Sequence, residues 1–228
     1  MRGHLLRGTF REALSQHAEA VADFTACLAL DPACAEALDR RGSELFKLGH
    51  LAEALADFDR SVKLRPEAAP GHWKRGIALY YAGRYDEGRR QFEGYEKVDT
   101  NDVENAVWHF LCVARQDGPE KARARVLKIG RDARVPMMQV YDLYRGELKP
   151  ADVLAAAEAG EAPAAERAAR LFYAHLYLGL YFEVQGDKRQ ALEHMALAAG
   201  KYRIGHYMGD VARVHEAMLR KERKPTSG

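Results

Sequence analysis

Two stretches of the sequence decide the fold, VADFTACLALDP at residues 21–32 and LADFDRSVKLRP at residues 55–66. Each contains Ala-Asp-Phe and ends in proline, and the second begins 34 residues after the first. A fixed period of this length is typical of a repeat architecture. The same shift aligns further columns: Phe24, Phe58 and Phe92; Gly8, Gly42 and Gly76; Ala20, Ala54 and Gly88; Gly49 and Gly83; Pro32 and Pro66.

Each 34-residue unit has the pattern of a helix hairpin. Apolar residues recur at helical spacing on both sides of a break near the fifteenth residue, at Gly49-His50 and at Gly83-Arg84. Glycine at such a break favours a turn between two helices. The proline at position 32 of the unit then stops the second helix. The sequence therefore predicts consecutive antiparallel helix hairpins.

The glycine at position 8 predicts a close approach between the paired helices. A glycine inside a helix costs about 1 kcal/mol relative to alanine, so three such glycines need a compensating contact. We expect the facing helix to come near, with a small residue at position 20 for the same reason. The phenylalanines at position 24 are expected to fill the space between neighbouring hairpins.

These columns resemble the tetratricopeptide repeat pattern, which is clear over residues 1–102. A further unit fits at 172–205, where Met195 replaces the phenylalanine and Gly179 occupies position 8. The resemblance implies an all-α fold, a right-handed superhelix of antiparallel hairpins (a TPR-like α-solenoid) with a C-terminal capping helix. The expected divisions are three repeats at 1–102, two degenerate hairpins at 103–171 (103–115 with 119–133, 136–146 with 150–159), a repeat at 172–205, the capping helix at 206–222 and a flexible tail at 223–228.

The last quarter of the chain also resembles the last repeat and closing helix of NlpI-type bacterial lipoproteins. The residues concerned are LFYAHLYLGLYFEVQGDKRQALEHMALAA at 171–199 and GHYMGDVARVHEAML at 205–219. Members of that group are adaptors that dimerise and bring peptidases or cell-wall hydrolases to their partners. The resemblance implies an adaptor role and makes a homodimer one option.

Composition and charge indicate a folded helical protein without a general attraction to nucleic acid or membranes. Of the 228 residues 47% are hydrophobic and 30% charged, and 35 basic against 33 acidic residues leave a net charge of +2. No apolar run reaches the roughly 18 residues of a membrane span. The cysteines, at 27, 34 and 112, form no CxxC pair. A cytoplasmic setting is expected, or a periplasmic or outer-membrane-anchored one if a lipoprotein signal precedes these residues.

The sequence contains no recognisable catalytic motif. GxSxG, GxxxxGK[ST], GxGxxG and HExxH are all absent, so we predict no enzyme activity, no catalytic residue, no cofactor and no metal. A metal-dependent hydrolase built from the C-terminal histidines is the alternative. It would require His175, His194 and an acidic residue to converge on one metal ion. His206 and His215 would lie on opposite faces of one helix, so one metal ion could not bind both.

The basic segment EKARARVLKIGRDAR at 120–134 raises a second alternative, nucleic-acid binding. As a helix over 119–134 it would place Lys121, Arg125 and Lys128 on one face, with Arg123, Arg131 and Arg134 nearby. It lacks interleaved aromatic residues, so a solvated outer face is favoured over nucleic-acid recognition.

The tetratricopeptide resemblance implies a ligand groove along the first helix of each hairpin. Three of its residues, Trp73, Ile77 and Tyr80, are spaced to form a continuous apolar ledge for a peptide or helix, with Lys47 and Lys74 orienting acidic groups. The alternative is that Trp73 and Tyr80 pack under a neighbouring helix. The residues that would form the groove are Leu5, Thr9, Asp39, Ser43, Lys47, Trp73, Lys74, Ile77, Tyr80 and Tyr81. Because these are not the basic and amide residues of a chaperone carboxylate clamp, recognition of a chaperone C-terminus is not expected.

Tyr173, Tyr177 and Tyr181 recur at intervals of four and form one stripe on a helix. Such a stripe is more typical of a core or a dimer contact than of a cofactor site, and exposure would make it a protein interface. The sequence as a whole therefore predicts a non-catalytic scaffold or adaptor that binds a protein or peptide ligand.

Overall fold

The computed structural model describes residues 1–223, without the side chain of Arg223. The chain divides into two compact units, Met1–Val98 and Asp99–Gly228. All regular secondary structure assigned within the described residues is helical, as the sequence predicted. The tail predicted at 223–228 lies, apart from the backbone of Arg223, outside the described residues.

The first unit consists of three helix hairpins. Its helices are α1 (Arg2–Ala13), α2 (His17–Leu30), α3 (Ala35–Lys47), α4 (Leu51–Leu64), α5 (Trp73–Tyr81) and α6 (Tyr85–Tyr95), with a short 3-10 helix at Pro66–Ala68. The turn inside each hairpin needs a left-handed residue at position 15. Gly49 and Gly83 supply it with φ of 82° and 71°, and Ser15 adopts φ of 57° without being glycine.

A phenylalanine from the second helix lies directly on the position-8 glycine of the first helix. A Cβ on Gly8 would lie 2.6 Å from Cε1 of Phe24, and one on Gly76 would lie 2.6 Å from Cζ of Phe92. The predicted close approach therefore occurs at the glycine, but the group that comes near is the aromatic ring of the second helix and not its backbone alone. Phe58 also reaches the next hairpin, where its ring centroid is 5.0 Å from that of His72.

An ion pair between the two helices of a hairpin repeats with the same period. Arg41 Nε and Nη2 donate to the two carboxylate oxygens of Asp57 at 2.6 and 2.8 Å. Arg7 binds the carboxylate of Asp23 through the same two nitrogens, and Asp57 and Asp23 are both almost fully buried. In the third hairpin the acceptor at this position is the neutral Gln91. In each hairpin, a side-chain contact between positions 7 and 23 of the repeat therefore links the first helix to the second.

The second unit contains α7 (Val103–Asp117), α8 (Pro119–Arg123), α9 (Met137–Arg145), α10 (Pro150–Glu158), α11 (Ala164–Val184), α12 (Lys188–Ala199) and α13 (Tyr207–Arg223). Helices α11 and α12 pack as a hairpin, and α13 packs on α12. Met195 lies over Gly179 as Phe24 lies over Gly8, since a Cβ on the glycine would meet Cε of Met195 at 2.9 Å. None of the helices in residues 1–223 is long and apolar enough to cross a bilayer.

The prediction of a helix over 119–133 is wrong, because α8 ends at Arg123. In the segment after α8, backbone N–H groups bond to residues before α7 and not within a helix. The N–H of Gly130 donates to the carbonyl of Thr100 at 2.9 Å, and that of Arg131 to Oδ1 of Asn101 at 3.0 Å. A helix would need those donors for its own carbonyls. Lys121, Arg125 and Lys128 therefore do not share a helical face, and the basic helix of the nucleic-acid alternative does not exist.

Candidate functional site

The structure brings four of the predicted groove residues together in the first unit. Asp39 and Ser43 lie one turn apart on α3, and Trp73 and Lys74 open α5. Lys74 Nζ lies 3.5 Å from Oδ2 of Asp39 and 3.1 Å from Oγ of Ser43. His72, which caps α5 by accepting the N–H of Arg75, places Nε2 2.9 Å from Oδ1 of Asp39. These residues form one polar cluster between the first helices of two successive hairpins.

The Asp39 carboxylate is ionised and neutralised within this cluster. Burial acts to raise its pKa, but the hydrogen bond from His72 and the charge of Lys74 outweigh burial and bring the pKa down to about 2. A pocket of about 280 Å³ opens beside the cluster, with Trp73 and Arg65 in its lining. Because Arg65 and Lys74 stand against one carboxylate, the lining has a positive surplus suited to an acidic group.

The prediction of an apolar ledge on the surface is wrong for two of its three residues. Ile77 is only 1% exposed and Tyr80 only 3% exposed. Position 12 of the repeat is a core position in the second and third hairpins, since the equivalent Phe46 is fully buried as well. The Tyr80 ring packs at 5.4 Å on Tyr81 and at 5.6 Å on Tyr85, edge-on and tilted respectively. Tyr80 therefore fills the hairpin, as the alternative interpretation expected, whereas Trp73 and Tyr81 remain partly exposed.

Lys47 does not point its charge at a ligand, contrary to the prediction. Its Nζ lies 2.5 Å from Oε1 of Glu44, a carboxylate with no exposed side-chain surface. The other oxygen of Glu44 lies 2.6 Å from Nδ1 of His17, on α2. A buried carboxylate needs such partners, so Lys47 serves the junction between hairpins.

Leu5 and Thr9 lie apart from the polar cluster. Leu5 packs against the buried group formed by Cys27, Leu28, Ala37 and Leu38. Thr9 Oγ1 donates to the carbonyl of Leu5 at 3.0 Å within its own helix. Neither contact assigns the two residues to the pocket beside Trp73.

Sequence reasoning missed His72 and Arg65 as members of the site. His72 occupies position 4 of its repeat, where the tetratricopeptide pattern has an aromatic residue. The sequence signal for His72 is a polar ring at a repeat position that is otherwise apolar. In the structure the flat ring packs against Phe58, and its nitrogen contacts Asp39. Arg65 lies at the end of α4 and no sequence pattern pointed to it.

The C-terminal histidines converge only as a pair. Nδ1 of His175 and Nδ1 of His194 are 2.8 Å apart, a hydrogen bond in which one ring donates and the other accepts. Two ligands of one zinc ion at about 2.0–2.1 Å each would stand farther apart in a tetrahedral site. Within residues 1–223 no group of three or more His, Cys, Asp or Glu side chains is placed to hold a metal. The geometry does not fit the metal-dependent hydrolase.

Protonation of this pair should destabilise the protein at low pH. Burial, and the nearby charges of His194 and Lys201, lower the pKa of His175 to about 4 from an ordinary 6.5. Between these values the unfolded chain binds a proton that the folded chain does not, so stability falls as pH falls and is constant above about 6.5. Over this range we expect the wild type to lose about 3 kcal/mol more than His175→Gln in urea unfolding. His50→Gln, at an exposed site, is the control, and equal pH slopes for wild type and His175→Gln would contradict the assignment.

The tyrosine stripe is core in its middle. Tyr177 is fully buried, its hydroxyl donates to Glu104, and its ring stacks on Tyr173 at 6.4 Å. Tyr173 and Tyr181 are partly buried, and Tyr181 packs edge-on against Tyr144 at 5.5 Å. The interface interpretation is therefore wrong for Tyr177, because a ring inside the unit cannot contact a partner.

The stripe borders an ionic network that sequence reasoning also missed. Arg134 donates to Asp132 at 2.6 Å, to Asp102 at 2.9 Å and to Glu104 at 2.5 Å. Burial and the Glu104 charge raise the pKa of Asp102 to about 6, although Arg134 opposes the rise. The same two causes raise the pKa of Tyr173 to about 12. Arg134 therefore links Asp102 and Glu104, at the start of α7, to Asp132 in the segment after α8, while the surplus of carboxylates disfavours the ionised form of Asp102.

Comparison with known proteins agrees with this architecture. The tetratricopeptide repeat family model matches residues 5–69 and 40–102. Among solved structures, a tetratricopeptide repeat protein from Parabacteroides merdae ATCC 43184 aligns with TM-score 0.55 and 16% identity, over 95% of this chain and 83% of that one. The TPR domain of P58(IPK) aligns with TM-score 0.41 and 15% identity, over 96% of this chain and 64% of that one. A comparison with curated protein sequences found no match.

The predicted fold class is confirmed, whereas the NlpI-type resemblance of the last quarter is not shown by these comparisons and stays a hypothesis. Arrays of such hairpins serve as scaffolds for protein interactions, because stacking creates extended binding surfaces. Residues 5–102 therefore match the tetratricopeptide repeat family, and the three helix hairpins of the first unit have a tetratricopeptide-like α-solenoid fold.

Proposed function

We propose that the protein is a non-catalytic interaction scaffold whose first unit binds an extended peptide or a helix of a partner protein. The observation that carries the proposal is the pocket beside Asp39, His72 and Lys74, which Trp73 lines with a partly exposed ring. An aromatic anchor next to a few fixed polar groups is the usual make-up of a peptide-binding site.

The charges of the pocket favour a ligand with an acidic group near an apolar one. Asp39 is already matched by His72 and Lys74, so Arg65 supplies the additional positive charge. The ring of Trp73 and the apolar part of the lining would receive the apolar side chain. One pocket with a single aromatic anchor supports a micromolar dissociation constant, about −8 kcal/mol.

The Trp73→Ala variant tests this proposal. With peptides selected from a random library on the wild-type protein, we expect the variant to bind at least about tenfold more weakly, a loss of about 1.4 kcal/mol or more. Lys63→Ala, on the exposed side of α4, is the control and should bind as the wild type. Thermal unfolding by circular dichroism verifies that both variants fold.

Two results would reject the assignment to this pocket. The first is a selected peptide population whose affinity is unchanged in Trp73→Ala. The second is a set of selected peptides without acidic residues, since the charge argument predicts their enrichment. Arg65→Ala then separates the charge contribution from the contribution of the aromatic ring.

An adaptor role would follow if the chain binds two partners at once. Support for it comes from the NlpI-type resemblance of residues 171–199 and 205–219, in a group whose members also dimerise. Measuring the mass of the protein in solution tests the homodimer option directly. The enzyme and nucleic-acid alternatives receive no comparable support, since neither the histidine pair nor the segment after α8 has the geometry they require.

A further inference from the structure

The first helix carries an exposed apolar stripe that the groove does not use. Leu6 and Phe10 on α1 and Leu14 at its C-terminal cap lie four residues apart and are 60%, 69% and 68% exposed. Residues at this spacing share one face of a helix. The three side chains therefore form a continuous apolar surface at the outer edge of the first hairpin, named here the α1 stripe.

The repeat itself indicates what kind of surface the α1 stripe is. Position 10 of the unit is Phe10 in α1, Glu44 in α3 and Ala78 in α5. Glu44 and Ala78 are both 0% exposed. Helix α2 packs on α3 and its His17 binds Glu44, so position 10 is where a preceding helix docks. Phe10 has an apolar side chain at the same docking position.

The charges beside the α1 stripe select the partner. Arg2, Arg7 and Arg11 are neighbours of the stripe along the helix, and the side chain of Arg7 is 57% exposed. Among the described residues, the acidic partner of Arg7 and Arg11 is Asp23, which is nearly fully buried and binds both. Three arginines against one carboxylate leave a surplus of two positive charges. A second copy of α1 would set arginines against arginines.

We propose that the α1 stripe docks an amphipathic helix of a partner protein whose apolar face is bordered by acidic residues. The partner helix takes the place that α2 takes on α3. Its apolar side chains cover Phe10 and the leucines, and its carboxylates face the arginines. This second binding surface is independent of the pocket beside Trp73.

A pair of designed peptides tests the proposal on the full chain. The first is a labelled amphipathic helix with leucines on one face and glutamates beside them, and the second replaces every glutamate with lysine. In fluorescence anisotropy the glutamate peptide should bind, and the lysine peptide at least about tenfold more weakly. Raising the salt concentration from about 0.05 to 0.5 M should weaken binding of the glutamate peptide.

Matched variants locate the site. Phe10→Asp should reduce affinity for the glutamate peptide at least about tenfold, whereas Leu30→Asp, at a residue 63% exposed on α2, should not. Phe10→Asp should keep its thermal unfolding and its binding to the peptides selected for the Trp73 pocket. The proposal fails if the glutamate peptide does not bind, if both peptides bind equally, or if Phe10→Asp binds normally. It also fails if the wild type is a dimer that Phe10→Asp dissociates, since the occupant would then be a second copy.

Discussion

Replacing Arg41 with leucine should lower the free energy of unfolding by about 3–5 kcal/mol. The reason is that the substitution leaves the buried Asp57 carboxylate in place. The Asp57 side chain is 5% exposed and receives two hydrogen bonds from Arg41, so its carboxylate would be left buried without its counter-charge. Urea unfolding followed by circular dichroism measures the loss.

The repeat supplies two controls for this result. Arg41→Leu combined with Asp57→Leu should recover most of the loss, because a buried ion pair replaced as a whole by apolar residues is often nearly neutral. Arg75→Leu should cost only about 1–2 kcal/mol, because its partner Gln91 is neutral. Its other partner, Asp59, is 34% exposed and keeps an ion pair with Arg84. Equal losses for Arg41→Leu and Arg75→Leu would show that the buried charge is not the cause.

Replacing Phe24 with alanine should cost about 3–5 kcal/mol, since its ring is fully buried. The contact of this ring with Gly8 adds a sharper prediction. Gly8→Ala in the wild type should destabilise, because the new Cβ would lie 2.6 Å from the ring and overpacking costs about 1–3 kcal/mol. In the Phe24→Ala background the same change should be neutral or stabilising, because alanine is the better helix former by about 1 kcal/mol.

The sign change between the two backgrounds is the decisive measurement. A double-mutant cycle on the urea unfolding free energies isolates the coupling between the two positions. Gly3→Ala is the control on the same helix, since no atom lies within 4 Å of its Cβ position. If Gly8→Ala has one effect in both backgrounds, the glycine is not kept for the aromatic ring.

The site was only partly predictable from the sequence. The shared first-helix register of two neighbouring repeats predicts one groove for Asp39, Ser43 and Lys74, and Lys74 contacts the other two. Their role in binding a ligand stays a prediction. Tyr80 was misplaced because a stripe of aromatic residues has the same spacing in a core and on a surface.

The roles of charged residues were also poorly predicted from the sequence. Lys47 was expected to face a ligand, but it compensates the buried Glu44, and that burial depends on a helix of the previous hairpin. The pair of Arg41 and Asp57 was readable in principle, because its members occupy positions 7 and 23 of the period.

The sequence by itself determined the repeat, the hairpin turns and the residue types at positions 8 and 24. These features depend on local backbone preferences and on a period that one chain displays three times. Only the tertiary structure decided which polar groups meet, where the segment after α8 runs, and that Phe10 is exposed while Glu44 is covered. The physical reason is that burial and ion pairing depend on the neighbouring helix, which sequence spacing within one helix does not specify.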